Sequence, residues 1–132
     1  MTQENKDLLI KDLSARVPYG VKFVLNNGLN NVRTLISIGE DIPYEDWQMC
    51  AYACGISAIP IEHITPYLFP MSSMTKEQKE EMKSFNPFKT DEVKTLGDWA
   101  GRLIDFYHKH HIDYRGLIEK GLAIDATYKN IY

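Results

Sequence analysis

At 132 residues with 44% apolar side chains, the chain holds enough material for one hydrophobic core and too little for two large domains, and a disordered chain is excluded. Its 15 basic and 18 acidic side chains leave a net charge of −3, which as a total singles out no partner. The longest uncharged run, Trp47 to Ile61, is too short and too broken by Gly55 and Pro60 to span a bilayer, and the acidic start lacks the basic and apolar regions of a secretion signal. A cytoplasmic location is expected, with Cys50 and Cys54 as reduced, buried thiols, since a spacing of four matches neither a zinc knuckle nor a redox pair.

From Asp7, Leu8, Leu9, Leu13 and Val17 fall near helical spacing with Lys6, Lys11, Asp12 and Arg16 outside, so an amphipathic helix is predicted up to Pro18. Tyr19–Leu25 alternates Val21, Phe23 and Leu25 on one face, Asn26–Asn31 tolerates a turn, and Val32–Ile38 resumes a β-rich run, which together make a hairpin. Between Glu40 and Cys54 two periodicities compete: Tyr44, Trp47, Cys50, Ala51 and Cys54 suit a helix face, whereas Trp47, Met49, Ala51 and Ala53 suit a strand. Ile56–Ile61 reads as a strand with Pro60 at its edge or end, and Pro66–Pro70 is extended. Thr75 with Gln78 forms a capping box for a surface helix from Lys76 to about Phe85. After Asn86–Thr90 breaks the chain, Leu96, Trp99, Ala100, Leu103, Ile104, Phe106 and Tyr107 mark a strongly apolar helix, expected to be the main one against the sheet. Asp113 is placed as the N-cap of a last short helix carrying Leu117 and Ile118, with Gly121 ending it in the left-handed conformation, and the tail from Leu122 to Tyr132 can add a strand. The fold class that follows is α+β in a single domain, residues 1–132: an N-terminal helix, an antiparallel sheet of three or four strands with a small-barrel curl left open, then C-terminal helices.

Charge is unevenly distributed. From Thr34 to Thr75 there is no Lys or Arg, while Glu40, Asp41, Glu45, Asp46 and Glu62 fall within that interval, so a phosphate backbone would be repelled there. Elsewhere basic residues are interleaved with acids, as in Lys76–Glu81, the pattern of a solvated helix face.

Candidate chemistry concentrates at residues 108–115. His108, His110, His111 and Asp113 supply imidazole and carboxylate ligands; on one helix His108 and His111 share a face at i and i+3 whereas His108 and His110 point about 200° apart, so a metal site would use His108, His111 and Asp113. The competing reading is that these histidines complement the helix C-terminus. Tyr114 and Arg115 beside Asp113 are candidates for a polar binding surface, against a structural pairing of Arg115 with a nearby acid. Ser72 and Ser73 lack the flanking glycines of a nucleophile elbow, and no glycine-rich phosphate loop is present, so neither a catalytic residue nor a cofactor is assigned.

Three segments, Asp12–Lys22, Ile61–Thr75 and His110–Ala123, resemble a family of small proteins encoded in gut Bacteroidetes and in their phages and prophages. The resemblance extends over nearly the whole chain. That family carries no assigned activity, so it implies an association with mobile elements and no site residue; its members read as plain strands over Glu40–Ala53, which tilts that segment toward strand. Without a convergent catalytic set, and with eight tyrosines suited to contact surfaces, the functional expectation is a non-enzymatic protein-interaction or accessory module, its partner another protein or a further copy of the chain. The alternatives are a nucleic-acid-associated small barrel and a metal-dependent enzyme built on the 108–113 cluster.

Overall fold

The computed structural model describes residues 1–26, 31–40, 49–53, 58–86 and 95–132. The first helix, α1 (Gln3–Arg16), starts where the Thr2 hydroxyl accepts the Asn5 N–H, and gives way to a 3₁₀ turn, Val17–Tyr19, at Pro18. Leu9 and Leu13 are fully buried. So are Asp12 and Arg16, which corrects their expected outward placement: four residues apart on one helix, carboxylate and guanidinium neutralise each other and can enter the interior together.

Strands β1 (Lys22–Leu25) and β2 (Arg33–Thr34) are antiparallel, with Phe23 opposite Arg33, as a hairpin requires; its turn, residues 27–30, lies outside the described residues. The chain then changes sheets. Leu35 N–H still donates to Val21 C=O at 2.9 Å, but Ile36 N–H donates to Tyr52 C=O at 2.8 Å, carrying the backbone into β3 (Ser37–Glu40). β3 pairs antiparallel with β4 (Met49–Tyr52), and β4 with β5 (Ile59–Pro60). Residues 49–52 of the ambiguous segment are therefore strand; residues 41–48 and Cys54 lie outside the described residues, and Cys50 is buried. Pro60 ends its strand, and a 3₁₀ turn at Ile61–His63 leads into β6 (Ile64–Pro70), which pairs antiparallel with β1. The described strands thus form two sheets, β1 and β2 with β6 and its later neighbours, and β3-β4-β5, which the chain joins where β2 runs on into β3 and β5 into β6, so that together they wrap one core in the manner of a small barrel. Its interior is filled by Val21, Phe23, Leu35, Ala51, Ile59, Ile61, Ile64 and Leu68, with Leu9 and Leu13 of α1 packed into the same core.

Helix α2 (Lys76–Ser84) carries the Thr75/Gln78 capping box and buries no residue, as the sequence predicts. Helix α3 (Leu96–Lys109) departs from expectation: it packs Phe106 and Tyr107 with Met82 and Phe85 of the α2 region in a satellite cluster, while Leu96 and Ile104 stay exposed. The helix in the barrel core is α1. After α3, β7 (Ile112–Asp113) and β8 (Ile124–Asp125) join β6 in parallel, so that sheet is mixed rather than purely antiparallel. Between them there is no last helix but a series of turns using the expected chemistry. Asp113 accepts the N–H groups of Leu117 and Ile118, each at 2.9 Å; Gly121 adopts φ +73°; Leu122 N–H reaches back to Leu117 C=O. Among the described residues no helix is long and apolar enough to cross a membrane.

Candidate functional site

The densest polar constellation lies where the end of α1 meets α3 and the segment from His111 to Ile118. Asp12 is its hub. Its Oδ2 accepts from Arg16 Nε at 2.7 Å, and its Oδ1 from both Arg16 Nη2 at 3.2 Å and Arg115 Nε at 3.1 Å. Arg16 Nη2 also donates to the Ile112 carbonyl at 2.7 Å, tying the first helix to a strand 96 residues later. The Tyr114 ring lies near both guanidiniums, its centroid 5.5 Å from Arg16 Cζ and 4.8 Å from Arg115 Cζ. Its hydroxyl shares a 2.8 Å hydrogen bond with His108 Nε2. Burial, followed by the Arg16 charge, holds that imidazole below its ordinary range, so it is neutral near pH 7.

The sequence candidates therefore fall into two groups. His108, Tyr114 and Arg115 come together, and Arg115 finds the acid that the structural reading requires, in Asp12. His108, His111 and Asp113 do not form a ligand set. The helix ends at Lys109, His111 takes φ +57°, and its ring stacks on Tyr132 at 3.7 Å between centroids and 13° between planes. Asp113 spends both oxygens on backbone N–H groups. Among the described residues no three His, Cys, Asp or Glu side chains are placed to hold a metal ion. His110 instead sits between α2 and α3, its Nδ1 3.4 Å from Gln78 Nε2 and its Nε2 3.7 Å from a Glu81 oxygen. It helps to line a cavity of about 200 Å³ with Phe69, Ser73, Thr75, Gln78 and Ile112. Ser73 belongs to a 3₁₀ turn and donates to the Pro70 carbonyl.

Tyr132, which sequence reasoning passed over, anchors a second constellation. Continuing the β1/β6 register one step beyond Phe23 and Pro66 sets Lys22 opposite Tyr67. The Tyr132 hydroxyl is inserted there: it accepts the Lys22 N–H at 2.8 Å and donates to the Tyr67 carbonyl at 2.7 Å. Burial pushes this phenol up to about 12, so it remains a donor, while burial and then Arg16, His110 and Lys22 pull His111 beneath it down to about 4. The signal for Asp12 and Arg16 was present as their spacing of four. For Tyr132 there was none, because the contact depends on strand register.

Comparison with protein-family models, with curated proteins and with solved structures finds no match to this chain.

Proposed function

We propose that this protein acts by binding another protein, as a cytoplasmic accessory module without catalytic activity of its own, and that the resemblance to phage and prophage proteins gives its setting. One observation carries this reading: the carboxylates that converge, and the imidazole and phenol beside them, are engaged within the chain. All the oxygens of Asp12 and Asp113 bind donors of the chain itself, and His108 and Tyr114 bind one another. A reaction needs such groups turned toward a substrate; here they join α1, α3 and β7. The charge pattern favours a protein partner over nucleic acid, since β3 to β6 all lie in the interval free of Lys and Arg.

Two measurements test this. In a mobility-shift titration at low salt with single-stranded and duplex oligonucleotides, no complex is expected at micromolar protein; binding that weakens steeply with salt would replace this reading with the nucleic-acid one. Cross-linking with mass spectrometry in native extract is expected to recover a specific protein joined to this chain. Recovery of none at endogenous abundance would refute the proposal.

A further inference from the structure

The C-terminal segment crosses the outer face of the barrel. Ala126 N–H donates to Leu68 C=O, whereas Phe69 N–H donates to His111 C=O. Successive residues of a strand direct their backbone groups to opposite edges, so β8 and β7 flank β6 on opposite sides. From β8 the chain must pass over β6 to bring Tyr132 to the fork between β1 and β7. Side chains alternate in the same way: Ile64 and Leu68 belong to the barrel core, and Tyr67, Phe69 and Val24 form a separate apolar face. Ile124, Ala126 and Ile131 cover that face.

The covering segment is fastened to the rest of the chain at its ends, and between them it holds only to itself, Thr127 N–H donating to Asp125 Oδ1 at 2.9 Å and Lys129 N–H to the Ala126 carbonyl at 3.1 Å. One fastening is the two-residue pairing of β8 with the Ala126 hydrogen bond. The other is Tyr132, with its hydroxyl in the ladder, its ring on His111 and near Phe69, and the adjacent Ile131 carbonyl held by Lys22 Nζ at 3.0 Å. Between them Tyr128 and Asn130 adopt φ of +66° and +52°, and the Tyr128 side chain is wholly exposed. A non-glycine residue in the left-handed region carries strain of about 1 kcal/mol or more, least for Asn.

We propose that the outer face of β1 and β6 is a peptide-binding groove which this chain occupies with its own residues Ile124–Tyr132, and that a partner's extended peptide enters by displacing them. The resident segment defines the chemistry the groove takes: a short stretch adding in parallel to β6, an aliphatic residue and then a small one over Tyr67, and a phenol whose hydroxyl completes the Lys22/Tyr67 ladder. A peptide making these contacts without left-handed residues at positions 128 and 130 escapes the strain that the resident segment carries. This rests on the reading that the protein binds a protein partner, and names the surface it uses.

The probe is a fluorescently labelled synthetic peptide of residues 123–132, titrated by anisotropy into the native full chain and into the full-length Tyr132→Ala variant. Tyr132→Ala frees the fork, so this variant is expected to bind at least about tenfold more tightly than the native chain, and a peptide carrying Tyr132→Phe about fivefold more weakly than the parent. Equal affinity for both chains, or no binding to a Tyr132→Ala chain that still melts cooperatively, overturns the proposal. Hydrogen exchange on the native chain decides it without any variant. If the segment opens on its own, the Lys22 and Ala126 amides exchange about a hundredfold or more faster than the Leu35 amide inside the barrel; exchange of all three at one rate means that it opens only on global unfolding, and the groove reading falls. A failed groove with a specific protein partner cross-linked elsewhere on the chain would retire this surface and leave the interaction reading in place.

Discussion

Replacing Asp12 by Asn keeps the size and one acceptor of the side chain and removes its charge, so it isolates the electrostatic role of the hub. Arg16 would keep the Ile112 carbonyl as partner but lose its counter-charge while its side chain stays fully enclosed. Leaving a buried charge unpaired in this way destabilises by about 3–5 kcal/mol. Arg115 adds little to the loss, because its side chain is 22% exposed and can turn to water. For a chain of this size the loss amounts to a fall in Tm of roughly 10–20 °C. Urea unfolding followed by circular dichroism, with native, Asp12→Asn, Arg16→Met and the Asp12→Leu/Arg16→Met double variant, gives the comparison. Each single variant should lose most of that stability. The double variant, which leaves no buried charge at these two positions, should recover to within about 2 kcal/mol of the native chain. If Asp12→Asn lost less than about 1 kcal/mol, or the double variant lost the sum of the singles, the account of Asp12 and Arg16 as a mutually dependent buried pair would be wrong.

Three further outcomes are expected. Tyr132→Phe leaves the ring on His111 but parts Lys22 N–H from Tyr67 C=O, and should reduce stability by about 1–2 kcal/mol in the same urea experiment; an unchanged midpoint would mean that the hydroxyl contributes nothing. Stability should fall as pH drops from about 6.5 to 4: His111 is held at about 4 in the folded chain, so the unfolded chain binds its proton more tightly, and its neutral-state contribution is fully present above 6.5 and is lost through that window. His111→Asn, which tolerates the left-handed backbone, should flatten the slope there, leaving the smaller part due to His108, whose shift has the same sign; a slope as steep as the native one would contradict the assignment. Gly121→Ala should lose about 1 kcal/mol by thermal unfolding, from backbone strain alone, because an added Cβ meets nothing within 4 Å.

What the sequence made legible was local. The Thr75/Gln78 box, the left-handed Gly121, the carboxylate of Asp113 over the following N–H groups and the alternation about Phe23 each depend on a few neighbouring residues, and each is found in the structure. What it concealed depends on contacts between distant segments. The stripe on α3 announces a buried face but not its partner, which proves to be α2 and β7 rather than the barrel. The charges of Asp12 and Arg16 sent both outward by hydropathy, and only the approach of Ile112 and Arg115 shows why they turn in. The His108/His111 pairing assumed one helix through residue 111, and the helix stops at Lys109, so two residues of helix length separate a metal face from two unrelated contacts.

The buried pair of α1 also constrains how this chain can change over evolutionary time. An apolar pair at positions 12 and 16 is open to it, but the route there passes through a single-substitution intermediate that gives up about 3–5 kcal/mol of the 5–15 that typically hold a domain together. Selection for folding alone is therefore enough to retain Asp12 and Arg16 in any descendant of this sequence. Their persistence among relatives would record that barrier, and would be no sign of a ligand.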